Sequence, residues 1–338
     1  MAAPLSSIIG LSGKRLKKAE SVFLRDANPW GVILFARNVK DPDQLRRLTH
    51  DIREAMGRDT LIFIDQEGGR VQRLRAPHWR AFPSGDDYAA IYRRDEEKGL
   101  RACFLGHRLI ADDLRSVGIT ANCAPVLDLP QPGADPIISD RALGNSVGDI
   151  VDMAHAAMAG LMSGGVAPVI KHIPGHGRAT VDSHKALPKI EADRETLERS
   201  DFLPFRKLSD APMAMTAHAV YTHNSRTAVT ISRRSLTELI RAAIGYDGLL
   251  MTDDLDMKAL RGGLTRKAER ALEAGCDIAL QCSGALADSV KVAKGSQILS
   301  GRAYMRAMVA DACAEHVTEF DRRAAEDEFD ELFAKAST

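Results

Sequence analysis

The stretch KHIPGHGRATVDSHKALP (171–188) gathers Lys171, His172, His176, Asp182 and His184 into one short segment, with a glycine on each side of His176. Three chemistries use such residues. His172, His176, His184 and Asp182 are metal-ligand types, but helix-borne zinc sites use an i, i+4 spacing and the chain contains neither HxH nor HExxH, so a metal is disfavoured. A phosphate cradle fits less well still, because the glycines bracket a histidine and no GK[ST] follows. The third chemistry starts from Asp182-x-His184. An aspartate two residues before a histidine on a loop can accept its ring N–H, fix the tautomer and strengthen the other nitrogen as a general acid/base.

A proton carrier needs a nucleophile to serve. In GLLMTDDLDM (248–257), Asp253 stands where an apolar run ends, with Asp254 directly after it. Alternation along a strand aims neighbouring side chains at opposite faces, so one of the two is expected to face the centre of the fold. A carboxylate that attacks, opposite a group that first protonates the leaving oxygen and then activates water, is the division of labour in retaining glycosidases. Asp254 is read as a helix-start or supporting carboxylate, and His218 of MTAH as structural. His176 is read as either a brace for its loop or a substrate contact.

The elements that must position these residues alternate along the chain. Candidate strands are 6–13, 31–38, 60–69, 119–129, 167–175, 212–220, 248–257 and 276–284. Amphipathic helical stretches lie between most of them, such as DPDQLRRLTHDIREAMG (41–57) and GLRACFLGHRLIADDLRSVG (99–118). Eight strands with crossovers are the pattern of an α/β fold of the (β/α)₈ TIM-barrel type, with a doubly wound open sheet as the competitor. Polar residues favour the barrel, because they gather at the C-terminal ends of many runs: Arg37 and Asn38, Asp65 and Glu67, Asp128, Lys171 and His172, His218, Asp253 and Asp254. A barrel places its site on that rim, whereas an open sheet concentrates it at one switch point. No strand pattern follows residue 290, and 321–336 reads as a closing surface helix. Without a linker or an internal repeat, the simplest organisation is one domain over 1–338 with C-terminal helices.

Composition removes several classes of function. Acidic and basic residues number 46 each, the formal net charge is zero and the sequence pI is about 7.2, which gives no footprint for nucleic acid or an anionic membrane. The basic run GKRLKK (13–18) reads as a solvated helix face. No window has the apolar length of a transmembrane helix, and MAAPLSSIIG lacks the charged start and apolar stretch of a secretory leader. The five cysteines form no CxxC pair and sit mostly among apolar neighbours, as buried thiols of a reducing compartment do. A cytoplasmic location, no cofactor and a monomer are expected.

KHIPGHGRATVDSH, IDQEGGRVQRL and LLMTDDLDM together resemble the signature regions of the family 3 glycoside hydrolases, specifically the single-domain bacterial β-N-acetylglucosaminidases of cell-wall recycling. The resemblance runs from GVILFARN through AGCDIALQC. It implies that Asp253 is the nucleophile and His184 the acid/base, with Asp182 as its dyad partner. Asp65, Arg73, Arg141, Lys171 and His172 match residues that bind the terminal sugar. The implied activity is retaining hydrolysis of terminal β-linked N-acetylglucosamine, with a muropeptide fragment carrying that sugar on 1,6-anhydro-N-acetylmuramic acid as the natural substrate. The glycine-rich loop bearing His184 is expected to close over bound substrate. Against the family pattern, SDDLSM reads TDDLDM here, adding Asp256. DRSFG reads DRALG beside Arg141, and YTHNSRTAV (221–229) lacks a proline before its alanine.

Other readings remain open on the sequence. A relative of the same family that transfers the sugar to phosphate is the first, since a neutral histidine does not repel an anionic acceptor. A sugar-binding module with an inert loop and a metal-dependent barrel hydrolase are the others. Arg141 as a structural ion pair is the plainer alternative to a substrate contact.

Overall fold

In the computed structural model, residues 3–336 are described. The ends of the expected 1–338 domain, residues 1, 2, 337 and 338, lie outside the described residues. Eight parallel strands form the core sheet: β1 (Leu5–Gly10), β2 (Pro29–Leu34), β3 (Leu61–Ile64), β4 (Ala121–Asn122), β5 (Ala167–Ile173), β6 (Met213–Thr216), β7 (Leu249–Met251) and β8 (Ala279–Gln281). Each pairs with the next from β1 to β7, and β8 returns to β1 with Ser7 opposite Ala279 and Ile9 opposite Gln281. The last seam closes through a parallel bridge between Met251 and Ile278, with Asp277 N–H donating to Leu250 O at 2.7 Å and Leu255 N–H to Leu280 O at 3.0 Å. This is the expected (β/α)₈ barrel, and the cyclic pairing rules out the open sheet.

Period-two alternation sorts the strand side chains into two cores. Leu61 and Phe63, Ala167 and Val169, Met213 and Met215, and Leu249 and Met251 fill the barrel with Trp30 and Ile278. Their neighbours Ile62, Ile64, Ile170, Ala214 and Leu250 face outward to the helices. Extending the inward parity past the strand ends brings Asp65, Lys171 and Asp253 onto the mouth. At the opposite end, helix Gly301–Ala312 plugs the barrel with Ala307 and Ala310, and Trp30 Nε1 donates to Asp311 Oδ2 at 3.3 Å.

Local sequence explains the helix limits. Pro42–Met56 starts where the Asp41 carboxylate accepts from Gln44 N–H, and stops at Gly57, whose φ of 64° suits glycine. The helix expected over 99–118 spans Glu96–Ser116, because Asp95 caps it three residues earlier through Lys98 N–H. The closing helix, Arg322–Ala336, is not purely a surface element: Phe329 is buried and Phe333 packs against Tyr88. The strands are shorter than their apolar runs. The 119–129 run forms a strand over Ala121–Asn122, is interrupted near Pro125, which has no N–H for a ladder, and meets β5 again through a parallel bridge between Val126 and Lys171 before its polar end becomes loop.

Candidate active site

The loop after β3 builds the floor of the mouth. Gln66 is buried. Its Oε1 accepts from the N–H groups of Arg73 (2.8 Å) and Leu74 (3.0 Å), and its backbone exchanges hydrogen bonds with the Asn122 amide. The turn needs Gly68, where φ is 107° and a Cβ would stand 2.0 Å from Pro83 O. Asp65 and Glu67 thereby point at Lys171 from β5. Lys171 Nζ lies 3.0 Å from Asp65 Oδ1 and 2.6 Å from Glu67 Oε1, and Arg73 reaches Asp65 Oδ2 at 3.1 Å. Arg141 grips Glu67 bidentately, Nε and one terminal nitrogen each at 2.8 Å.

Two carboxylates therefore meet three cations, and Asp253 lines the same pocket. Burial would raise both floor carboxyls, but Lys171 and Arg73 hold Asp65 well below the usual range, and Arg141 and Lys171 hold Glu67 at about 2. Burial would likewise lower Lys171, and Glu67 and Asp65 more than reverse it. Arg141 is thus in an ion pair, as its plainer reading had it, and also lines the pocket.

Asp128, fully buried after β4, organises the histidine segment. Its Oδ1 accepts from the N–H of His172 (3.2 Å) and of His176 (2.6 Å), and its Oδ2 lies 2.6 Å from His172 Nδ1. A carboxylate acceptor there fixes the Nδ1–H tautomer and leaves Nε2 as the acceptor. Gly177 passes so close to Leu129 that a Cβ would stand 1.8 Å from its carbonyl oxygen. The His176 backbone braces the loop while its ring, 5.8 Å from that of His172, lines the pocket with both nitrogens buried and unpartnered.

Asp253 and Asp254 both line the pocket, contrary to the expectation that one would turn away. Asp253 keeps the inward parity of Met251, but the strand has ended by then and Asp254 is no longer held to the opposite face. Asp254 N–H donates to Asp253 Oδ1 at 2.7 Å. Burial opposes ionisation of Asp253, yet the imidazoles of His218 and His172 and the Asp254 N–H bring its carboxyl below the usual range. Asp254 is opposite: burial first, then Asp256 and Asp253, push it up to about 7. Asp254 Oδ1 accepts from Asp256 N–H and Cys282 N–H, and Asp256 Oδ2 accepts from Gln281 Nε2 and Ser283 N–H. The additional carboxylate thus ties the β7 loop to the β8 loop and burdens Asp254 electrostatically. His218 Nε2–H donates to Asp254 O at 3.1 Å and its Nδ1 accepts from Thr230 Oγ1 at 2.8 Å, the structural role expected of it. Burial lowers its pKa against the opposing pull of Asp253.

His184 stands at the rim with its side chain 64% exposed. Asp182 Oδ1 accepts from the His184 backbone N–H at 2.9 Å and lies 2.8 Å from its Nδ1, leaving Nε2 on the open side. Burial would raise the Asp182 carboxyl, but both bonds to His184 keep it low. Ser183 O accepts from Ala259 N–H at 3.2 Å, which ties this loop to the segment after Asp253. The pocket enclosed by these loops measures about 200 Å³, room for one sugar ring. Asp65, Arg73, Arg141, Lys171, His172, His184 and Asp253 all line it, with Asp182 behind His184. Glu67 and Asp128 were visible in sequence as polar rim residues without an assigned partner. Among the described residues no group of three or more His, Cys, Asp or Glu side chains has a metal-binding arrangement.

A closed (β/α)₈ barrel whose C-terminal mouth holds a sugar-sized polar pocket, an ionised carboxylate and a carboxylate-oriented histidine has the layout of a barrel glycosidase. Residues 5–319 match the family model described as glycosyl hydrolase family 3 N terminal domain, and the chain belongs to that family. A beta-hexosaminidase of Alkalilimnicola ehrlichii is 40% identical over 280 residues, covering 82% of this chain and 80% of that one. One of Bordetella pertussis is 35% identical over 287 residues, covering 84% and 81%. Among solved structures, NagZ from Neisseria gonorrhoeae in complex with N-trifluoroacetyl-D-glucosamine superposes with a TM-score of 0.85 at 28% identity, over 99% of this chain and 98% of that one.

Proposed function

We propose that this chain is a retaining exo-β-N-acetylglucosaminidase that removes terminal β-linked N-acetylglucosamine through a covalent glycosyl-Asp253 intermediate. The observation that carries the reading is the pairing, at one single-sugar pocket, of a partly buried, ionised Asp253 with a histidine whose Nδ1 is engaged by Asp182 and whose Nε2 is free. The beta-hexosaminidase relatives and the N-acylglucosamine complex of the Neisseria gonorrhoeae structure support the choice of sugar.

In the first step an Asp253 oxygen attacks the anomeric carbon from one face. The bond to the leaving oxygen breaks, and His184 Nε2–H gives that oxygen its proton while Asp182 stabilises the imidazolium that gives it up. In the second step neutral His184 takes a proton from water, whose oxygen attacks the same carbon and releases Asp253. Asp65 and Lys171 bind adjacent sugar hydroxyls as acceptor and donor, with Arg73, Arg141 and His172 beside them. Closure of the exposed His184 loop over the bound sugar completes the site.

The natural substrate in this reading is a muropeptide fragment with the sugar on 1,6-anhydro-N-acetylmuramic acid. The protein acts as a cytoplasmic monomer with residues 1–338 as one catalytic domain. Five free cysteines support a reducing compartment, and no helix among the described residues is long and apolar enough to cross a membrane. Mass spectrometry of the products from an aryl N-acetyl-β-glucosaminide in phosphate buffer tests the reaction. Free N-acetylglucosamine is expected, and the sugar 1-phosphate would assign the chain to phosphorolysis instead.

A further inference from the structure

The end of the barrel opposite the pocket carries most of the large apolar side chains that the molecule leaves in water. Among the described residues eight large hydrophobic residues are exposed, and six of them, Ile298, Tyr304, Met305, Met308, Val309 and Val317, lie on or beside the helix Gly301–Ala312. That helix turns Ala307 and Ala310 into the barrel. At 3.6 residues per turn, Met305, Met308, Val309 and the exposed Ala312 fall on the face directly opposite, one stripe at i, i+3, i+4 and i+7. A surface helix ordinarily turns its apolar stripe inward and its polar face to water, whereas this helix is apolar on both faces. The six residues together expose on the order of 600 Å², at the upper end of the largest apolar patch on a typical monomer and most of the roughly 800 Å² that each partner gives to a standard interface.

The two ends of the stripe carry opposite charge. Arg302 stands at its start, and Glu315 and Glu319 follow its end. All three are exposed, and among the described residues none of the three side chains makes an ion pair, whereas Arg306 between them is held by Asp247 and Asp277. Two copies of the helix laid antiparallel about a two-fold axis between Met308 and Val309 join apolar middle to apolar middle. The Arg302 end of each copy then meets the Glu315 end of the other, and a parallel pair would set like charges together. A patch that is apolar at its centre and oppositely charged at its ends is complementary to itself, as an isologous interface requires.

We propose that the protein self-associates through this face into a reversible dimer in which the two 301–312 helices pack antiparallel. The patch is smaller than the interface of an obligate dimer, so association depends on concentration, with a Kd on the order of 10 µM. The pockets open at the far ends of the two barrels. Each copy therefore keeps a complete site, and the single chain remains the acting unit of the reading above.

The test is sedimentation velocity on the full chain from about 1 µM to about 200 µM. The wild type is expected to pass from the monomer mass of 36.8 kDa toward twice that value. The Met308→Glu, Val309→Glu double variant should stay at the monomer mass throughout, with aryl glycoside turnover and unfolding temperature close to wild type because both side chains already face water. Arg302→Glu should weaken association by about tenfold, and adding Glu315→Arg to the same chain should restore it. A wild type that remains monomeric over the whole range, or a dimer that persists in the double glutamate variant, would overturn the proposal. Failure of the charge swap to restore association would overturn the antiparallel arrangement. A monomeric wild type that floats with phosphatidylcholine vesicles, when the double variant does not, would give the stripe to a lipid surface and remove the dimer.

Discussion

At the floor of the pocket Lys171 is buried, Asp65, Glu67 and Arg141 are partly buried, and the four hold one another at 2.6 to 3.0 Å, whereas at the rim the His184 ring is 64% exposed and leans on Asp182 from a loop. The difference follows from what each region has to do. Sugar hydroxyls need donors and acceptors already in place, and a closed network of opposite charges keeps them there without reorganisation. A proton carrier has to meet bulk water in the second half of the reaction and let a leaving group pass, so it sits on a loop with a single strong orienting contact. Charge pairing makes the floor a structural element as well as a binding one, while the rim is chemistry on a lightly held arm.

That contrast separates the variants by what they damage. The largest effect is expected from Asp253→Asn, which removes the attacking oxygen at the junction of the two regions: kcat should fall by about 10⁴-fold or more, read in steady state with an aryl glycoside. Glu67→Gln should strike stability instead, because it leaves Arg141 and Lys171 facing an uncharged amide. A loss of about 3–5 kcal/mol is expected in denaturant or thermal unfolding, and an unaltered unfolding curve would break the claim that the floor is structural. Asp182→Asn should do the reverse, lowering kcat by about 10²-fold through both steps while leaving the unfolding midpoint close to wild type. Unchanged turnover in that variant would sink the dyad.

The pH dependence of stability sharpens the same comparison. Glu67 is depressed to about 2 in the folded protein, so its contribution is fully present above the ordinary glutamate value near 4.5 and is lost as pH falls through the acid range toward 2. Asp254, raised to about 7, works in the other sense: folding favours its protonated form, and stability is lost as pH rises from about 4 through 7. Asp254→Asn keeps the oxygen that accepts from Asp256 and Cys282 and removes the charge. It should therefore raise the unfolding temperature slightly at pH 8 and little at pH 4, the smallest effect of the set. A variant less stable than wild type at pH 8 would contradict the raised carboxyl.

The order of the strands was legible because the inward and outward sides of each run are both apolar and the runs are separated by capped amphipathic helices such as Asp41–Gly57. The strand ends were not. Apolar composition continues where the regular ladder is interrupted, as at Pro125 in the fourth run, and it does not show that the seventh strand ends at Met251, which leaves both Asp253 and Asp254 lining the pocket. The residues singled out in the sequence are those whose types and spacing suggest chemistry locally, such as Asp182 and His184, or whose motif is shared with a family. Glu67 and Asp128 were legible as polar strand-end residues, Glu67 inside a shared motif, but nothing local told what they bind. Their partners, Arg141 and His172, lie 74 and 44 positions away, and a lone carboxylate in sequence looks the same whether solvated or buried in a network.

The claim on which the account turns is that the exposed His184, oriented by Asp182, delivers the proton to the leaving group while Asp253 attacks. The direct measurement is pre-steady-state cleavage by His184→Ala of N-acetyl-β-glucosaminides whose leaving groups span a range of acidity. The first step should fall by about 10²–10⁴-fold for weakly acidic leaving groups and by little for dinitrophenolate, which departs without a proton, so that the rate becomes steeply dependent on leaving-group pKa. An equal loss across the whole series would contradict it, placing His184 outside the proton transfer and assigning that role to another group in the pocket.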